Sequence, residues 1–200
     1  MSVASLERAA ACEGKLAHPR ALSVDVGYGY TKAVAASGRR AVFPSVVAPD
    51  SGDVLGLGGV FGSQAPGYRV MVRPVAGEAR GYLVGEAAQD SFLASGFLGT
   101  EKPAELHDLL LLAAAYLVGA GSAGPFPAQA DLVVGLPLAF YRAQKEALRS
   151  RLQALSAWVS VDGGEERYIS FRRVVVVPQG AGVIFAARDG LPPHGFAGVV

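Results

Sequence analysis

An α/β fold built on a mixed sheet is what this sequence predicts, and three observations predict it. Three β-like runs open the domain: "ALSVDV" (21–26), "TKAVAAS" (31–37) and "RRAVFPSVVAP" (39–49). Their connections, "GYGY" and "SGRR", suit hairpin turns, so the opening reads as an antiparallel meander. After Pro103 strand-like and helix-like stretches alternate. Within that alternation "ADLVVGLP" (130–137) is apolar almost without interruption, as a strand buried on both faces should be.

The elements follow in order. Residues 1–20 read as an N-terminal extension, and they lack the apolar stretch behind a basic start that a signal peptide needs. Residues 21–49 and 103–200 read as the core. Residues 50–102 are glycine-rich, with short β-like pieces at "YRVMVRP" (68–74) and "RGYLVGEAA" (80–88), and read as a small inserted subdomain. "PAELHDLLLLAAAYLVG" (103–119) is a helix with proline in its first turn and glycine at its end. "AFYRAQKEALRSRLQAL" (139–155) is an amphipathic helix with Arg142, Lys145, Arg149 and Arg151 on its outer side. "ERYISFRRVVVVP" (166–178) is a strand, "QGAGVIFAARDG" (179–190) a helix, and "GFAGVV" (195–200) the start of another strand. Trp158 reads as core or edge packing.

Composition narrows the function. The chain has 18 Lys and Arg against 17 Asp and Glu, so bulk charge offers no surface for nucleic acid or membrane. The single cysteine, Cys12, rules out an internal disulfide and fits a reducing cytoplasm. The apolar run from Leu109 is too short to span a bilayer. His18, His107 and His194 are scattered, without the spacing of metal ligands.

Two short stretches carry chemistry. In "VDVGYGYTK", Asp25 ends an apolar strand, where its carboxylate can hold a magnesium ion through water. Gly27 and Gly29 would take left-handed backbone angles and let the N–H groups from Gly27 to Tyr30, Tyr28 included, approach an anion. Thr31 adds a hydroxyl and Lys32 a positive charge. The same residues also suit a plain glycine-rich β-hairpin, and the stretch fits neither common glycine-rich nucleotide fingerprint. In "PQGAG", Gln179 can accept from a water and donate to a phosphate oxygen, although these residues by themselves suit a helix start with glycines for close packing better.

"VDVGYGYTKAV" resembles the first phosphate loop of the superfamily that joins actin, the heat-shock chaperone ATPases and the sugar kinases. It is most similar to the bacterial actin-like ATPases of plasmid segregation, the ParM-like group. "RRAVFPSVVAP", "GYLVGEAA", "VVGLPLAFYRAQKEALRSRL" and "VVVVPQGAGVIFAARDG" resemble later segments of that group in the same order, so the resemblance spans residues 21–200. It implies domain I of the actin-like (ribonuclease H-like) fold, with a core subdomain and a small β-rich one. It implies ATP and Mg2+ as cofactors, with Asp25 organising the metal, Gly27 to Lys32 on the phosphates and Gln179 at the hydrolytic water. It further implies self-association into filaments or with a second actin-like half, and an adaptor protein bound to DNA. Tyr28 departs from actin, which has a small hydroxyl residue there. "GFAGVV" resembles the strand before a second aspartate–glycine loop, and the sequence stops without that loop or an adenosine pocket. A shortened binding or assembly module without turnover, and a sugar-kinase or exopolyphosphatase relative, are the alternative readings.

Overall fold

The computed structural model describes residues 21–50, 67–89, 91, 93–96, 103–124 and 128–181. The N-terminal extension with Cys12 and His18, most of the helix expected at 179–190, and His194 with the strand expected at 195–200 lie outside the described residues. The strands are β1 (Ala21–Val26), β2 (Tyr30–Ala35), β3 (Arg40–Pro44), β4 (Val47–Pro49), β5 (Tyr68–Pro74), β6 (Arg80–Val84), β7 (Ala130–Leu136), β8 (Ser156–Val161) and β9 (Arg167–Pro178). The helices are α1 (Glu86–Gln89), α2 (Ala104–Leu117) and α3 (Leu138–Ala154).

The strands join in the order β3-β2-β1-β7-β9-β8-β5-β6-β4. β1, β2 and β3 form the expected antiparallel meander. β7 lies parallel to β1 and to β9. The third strand expected at 39–49 is two strands. The chain turns at Pro44–Ser45, where the Ser45 N–H donates to the Gly29 carbonyl (2.9 Å), and β4 crosses to pair with β6. The stretch expected as β-like at 80–88 is likewise divided, into β6 and the single turn of α1. β8 was not anticipated. It follows α3 after Leu155 alone and pairs with both β5 and β9.

β3 and β4 stand at opposite ends of the strand order yet are joined by only Ser45 and Val46. The sheet therefore curls until its two edges meet at that corner, and α2 packs inside the curl against β1, β2, β3, β8 and β9. This enclosure explains why α2 is apolar on every side from Leu109 onward. Leu110, Leu111, Ala113, Ala114 and Ala115 are all fully buried. Its end is closed as the sequence suggests: Gly119 takes φ +95°, the Gly119 N–H reaches the Tyr116 carbonyl, and the Ala120 N–H reaches the Ala115 carbonyl. α3 lies against β9 and β7, buries Leu148 and Leu152 one turn apart, and is tied to α2 by Arg151 pairing with Asp108.

Alternation along the strands gives the main sheet two different faces. Leu22, Val24 and Val26 of β1, Ala33 and Ala35 of β2, and Leu132 and Val134 of β7 are buried among the core residues. Asp25, Lys32 and Gly135 occupy the intervening positions on the opposite face. Among the described residues, no helix is long and apolar enough to cross a membrane.

Candidate functional site

The site forms where β1, β2, β7 and β9 reach their shared end. The β1–β2 turn is closed by the Gly27 N–H donating to the Tyr30 carbonyl at 3.0 Å. A Cβ on Gly27 would stand 2.6 Å from that carbonyl oxygen, so the turn admits only glycine there. Neither Gly27 nor Gly29 has a positive φ, contrary to the left-handed angles expected of them. Close approach is what requires glycine at 27. At Gly29 an added Cβ would meet nothing within 4 Å, so the space over the backbone at the tip is open.

Asp25 and Lys32 are direct cross-strand partners, which puts both side chains on one face. Gln179 begins where β9 ends. Its N–H donates to the Leu136 carbonyl of β7 (2.9 Å), and its side-chain Nε2 donates to Asp25 Oδ1 at 3.1 Å. Residues 154 positions apart in the sequence are thereby joined. Gly135 lies on β7 between them, where a Cβ would be 3.1 Å from Gln179 Cγ and 3.4 Å from Asp25 Oδ1. Gly135 is not among the site residues expected from the sequence, where it stands inside "ADLVVGLP". Its one signal was a glycine inside an otherwise apolar strand, which marks a place where another group comes close.

Thr31 does not join this group. It is fully buried on the opposite face, and its hydroxyl is hydrogen-bonded to that of Ser45, also fully buried, at 2.9 Å. Tyr28 and Tyr30 are exposed at the tip. Tyr28 also lines a cavity of about 320 Å³, with His107 of α2 and Pro137, Phe140 and Arg151 at α3 around it. Farther along β7, on the face of Asp25, Asp131 receives two hydrogen bonds from the Arg172 guanidinium (3.0 and 2.9 Å). These bonds and the positive charge hold its carboxyl below the usual range.

The grouping is one carboxylate, one ammonium, one amide and an open turn of backbone. A phosphate chain would fit that donor set, and Asp25 could hold a hard divalent cation through its waters. Among the described residues no group of three or more His, Cys, Asp or Glu side chains is placed to hold a metal directly.

The sequence profile of the family described as "Actin like proteins N terminal domain" matches residues 23–182. Among solved structures, the chain is similar to a ParM from Clostridium botulinum, seen in a 15-stranded filament, at 26% identity and a TM-score of 0.71. That match covers 87% of this chain and 51% of the other. The archaeal actin homolog Ta0583, in complex with ADP, matches at 22% identity and a TM-score of 0.60, over 85% of this chain and 47% of its own. A Bacillus thuringiensis ParM with ATP shares the fold at 17% identity and a TM-score of 0.54, over 84% and 47%. A comparison with curated proteins finds no match. The chain spans about half the length of the solved proteins it resembles.

Proposed function

The chain belongs to the actin-like proteins, carrying their N-terminal domain, and on that premise we propose that it is the phosphate-binding half of a filament-forming ATPase of the ParM, plasmid-segregation type. One observation supports this reading above the rest: Gln179 reaches Asp25 at 3.1 Å, beside the turn at Gly29 and on the face that carries Lys32. The division into a core subdomain (21–49 and 103–200) and a small inserted one (50–102) belongs to the same proposal.

In this reading Lys32 sets a positive charge beside the nucleotide phosphates, and the turn from Gly27 to Tyr30 offers backbone N–H groups to their oxygens. Asp25 would hold a magnesium ion through its waters. That ion, when bound, would neutralise charge that develops on the phosphate oxygens. Gln179 orients the water that attacks the terminal phosphate. Such catalysis is positioning and electrostatics, without a covalent intermediate on the protein. ATP is the nucleotide to try first, since relatives of this fold have been solved with ATP and with ADP. The likeness to a ParM seen as a filament supports self-association, and a DNA-bound adaptor as further partner and the cytoplasm as compartment belong to the same proposal.

Calorimetric titration with magnesium–ATP, of the chain and of Asp25→Ala, tests the proposal. Saturable binding that disappears in the variant is expected. Binding of equal strength in both proteins, or in neither, would remove the phosphates from this turn.

A further inference from the structure

Gln179 can orient a water only if its amide presents the correct end. An amide side chain carries an acceptor oxygen and a donor nitrogen of similar shape, and rotating it by half a turn exchanges them. A water attacking phosphorus must give up a proton, so the amide oxygen has to face it. Nothing in a glutamine itself sets that choice.

The surroundings of Gln179 do set it. An ionised carboxylate accepts hydrogen bonds and donates none. With Asp25 Oδ1 3.1 Å away, the Gln179 NH2 must be the end that turns toward it, and Oε1 is left pointing away. The amide reaches that carboxylate because the strand between them carries no side chain at that level. β7 lies between β1 and β9, and a Cβ on Gly135 would press to 3.1 Å from Gln179 Cγ and 3.4 Å from Asp25 Oδ1. The first contact is tighter than nine in ten real ones, so the glutamine would have to shift by a few tenths of an ångström. The backbone cannot readily follow, since the Gln179 N–H is held by the Leu136 carbonyl at 2.9 Å.

We infer that Gly135 and Asp25 are positioning residues for the Gln179 amide: Gly135 leaves the gap that the side chain crosses, and Asp25 fixes which end of the amide is offered to water. Asp25 keeps its second oxygen, Oδ2, for the cation's waters, so the two duties do not compete for one atom. The inference rests on the nucleotide reading for its catalytic meaning and on geometry alone for its structural content.

The test separates the two. In a 15N-labelled chain, the Gln179 side-chain amide pair is assigned by its loss in Gln179→Ala and then followed in Gly135→Ala and Asp25→Ala. Both variants are expected to move the pair toward the position of a freely exposed glutamine. If Gly135→Ala fails to give a dispersed spectrum, Asp25→Ala alone decides. A pair that stays in place overturns the inference. Turnover of magnesium–ATP supplies the second reading. Gly135→Ala is expected to lower turnover on the order of tenfold, as small misplacements of a reacting group do, with KM changed less than about twofold. Made in the Gln179→Ala background, it is expected to add no further loss. An equal loss in both backgrounds would show that Gly135 acts on something other than the glutamine. An amide pair that moves as expected, in a chain that neither binds nor turns over ATP, would uphold the positioning and overturn the nucleotide reading.

Discussion

Thr31 and Lys32 are chain neighbours with unrelated duties, because a strand sends alternate side chains to opposite faces. The Thr31 hydroxyl is buried against that of Ser45, and this bond fastens β2 to the corner where β3 gives way to β4. Thr31→Val leaves the Ser45 hydroxyl buried without its partner. The expected cost is about 1–3 kcal/mol in a urea melt, part of it recovered in the double variant Thr31→Val/Ser45→Ala. Nucleotide affinity should not change. Lys32→Ala is expected to do the reverse, weakening magnesium–ATP binding about tenfold by calorimetry while stability stays within about 0.5 kcal/mol. The sequence placed both residues beside the phosphates because "YTK" gives no sign of which face each will take. That sign lies in the register, with Val26 opposite Thr31 and Asp25 opposite Lys32. Asp131 answers to pH on the same face. Arg172 holds its carboxyl below the ordinary value of 3.8, so its contribution is present above that value and lost as pH falls through the lowered one. Asp131→Asn should flatten the acid limb of a stability-against-pH curve below about pH 4 by the same small amount that it removes at neutral pH, small because the pair is exposed.

At the scale of elements, α2 is the piece on which packing depends most. A helix enclosed by a curled sheet has no side on which a new gap or a new methyl can be tolerated. Leu111→Ala is expected to cost about 2–5 kcal/mol and Ala114→Leu about 1–3 kcal/mol, both read as a shift of the denaturant midpoint with an unchanged slope. The helix itself was legible, because Pro103 and Gly119 mark its ends and the apolar run between them admits no other placement. β8 was not legible. Only Leu155 separates it from α3, without a glycine or proline to signal a turn, so its six alternating residues read on from the helix. The break between β3 and β4 was hidden for a related reason. "VFPSVV" reads as one apolar strand, and what divides it is that Val47 to Pro49 leave β2 and pair with β6, a strand far along the chain.

At the scale of the whole molecule, β9 decides whether the two parts of the sheet, a main part of β3, β2, β1 and β7 and a small part of β8, β5, β6 and β4, fold together. Its first residues, Arg167 to Ser170, pair antiparallel with β8, and from Phe171 onward it pairs parallel with β7. The register on β7 slips between Ala130 and Asp131, where the pairing with β9 begins. Phe171, buried at the changeover, belongs to the one core that extends from Val70 and Val84 in the small part to Leu22 and Leu132 in the main part. A strand common to both parts, with a continuous core under it, should make unfolding a single cooperative event. The only tryptophan, Trp158, sits on β8, against Tyr168 and beneath the Arg73 guanidinium, and so reports on the small part. Far-UV circular dichroism is weighted toward α2 and α3; α3 packs on β9 and β7 of the main part, and α2 spans both parts through β1, β2, β3 and β8. Trp158 fluorescence and the dichroism signal should therefore fall at one midpoint. Phe171→Ala should lower both together, by about 3–5 kcal/mol of stability. A tryptophan transition that comes earlier than the helical one would mean that β9 does not bind the two parts into one unit. The loop at Asp25 and the amide of Gln179 would then be carried by a main part that stands without the small one.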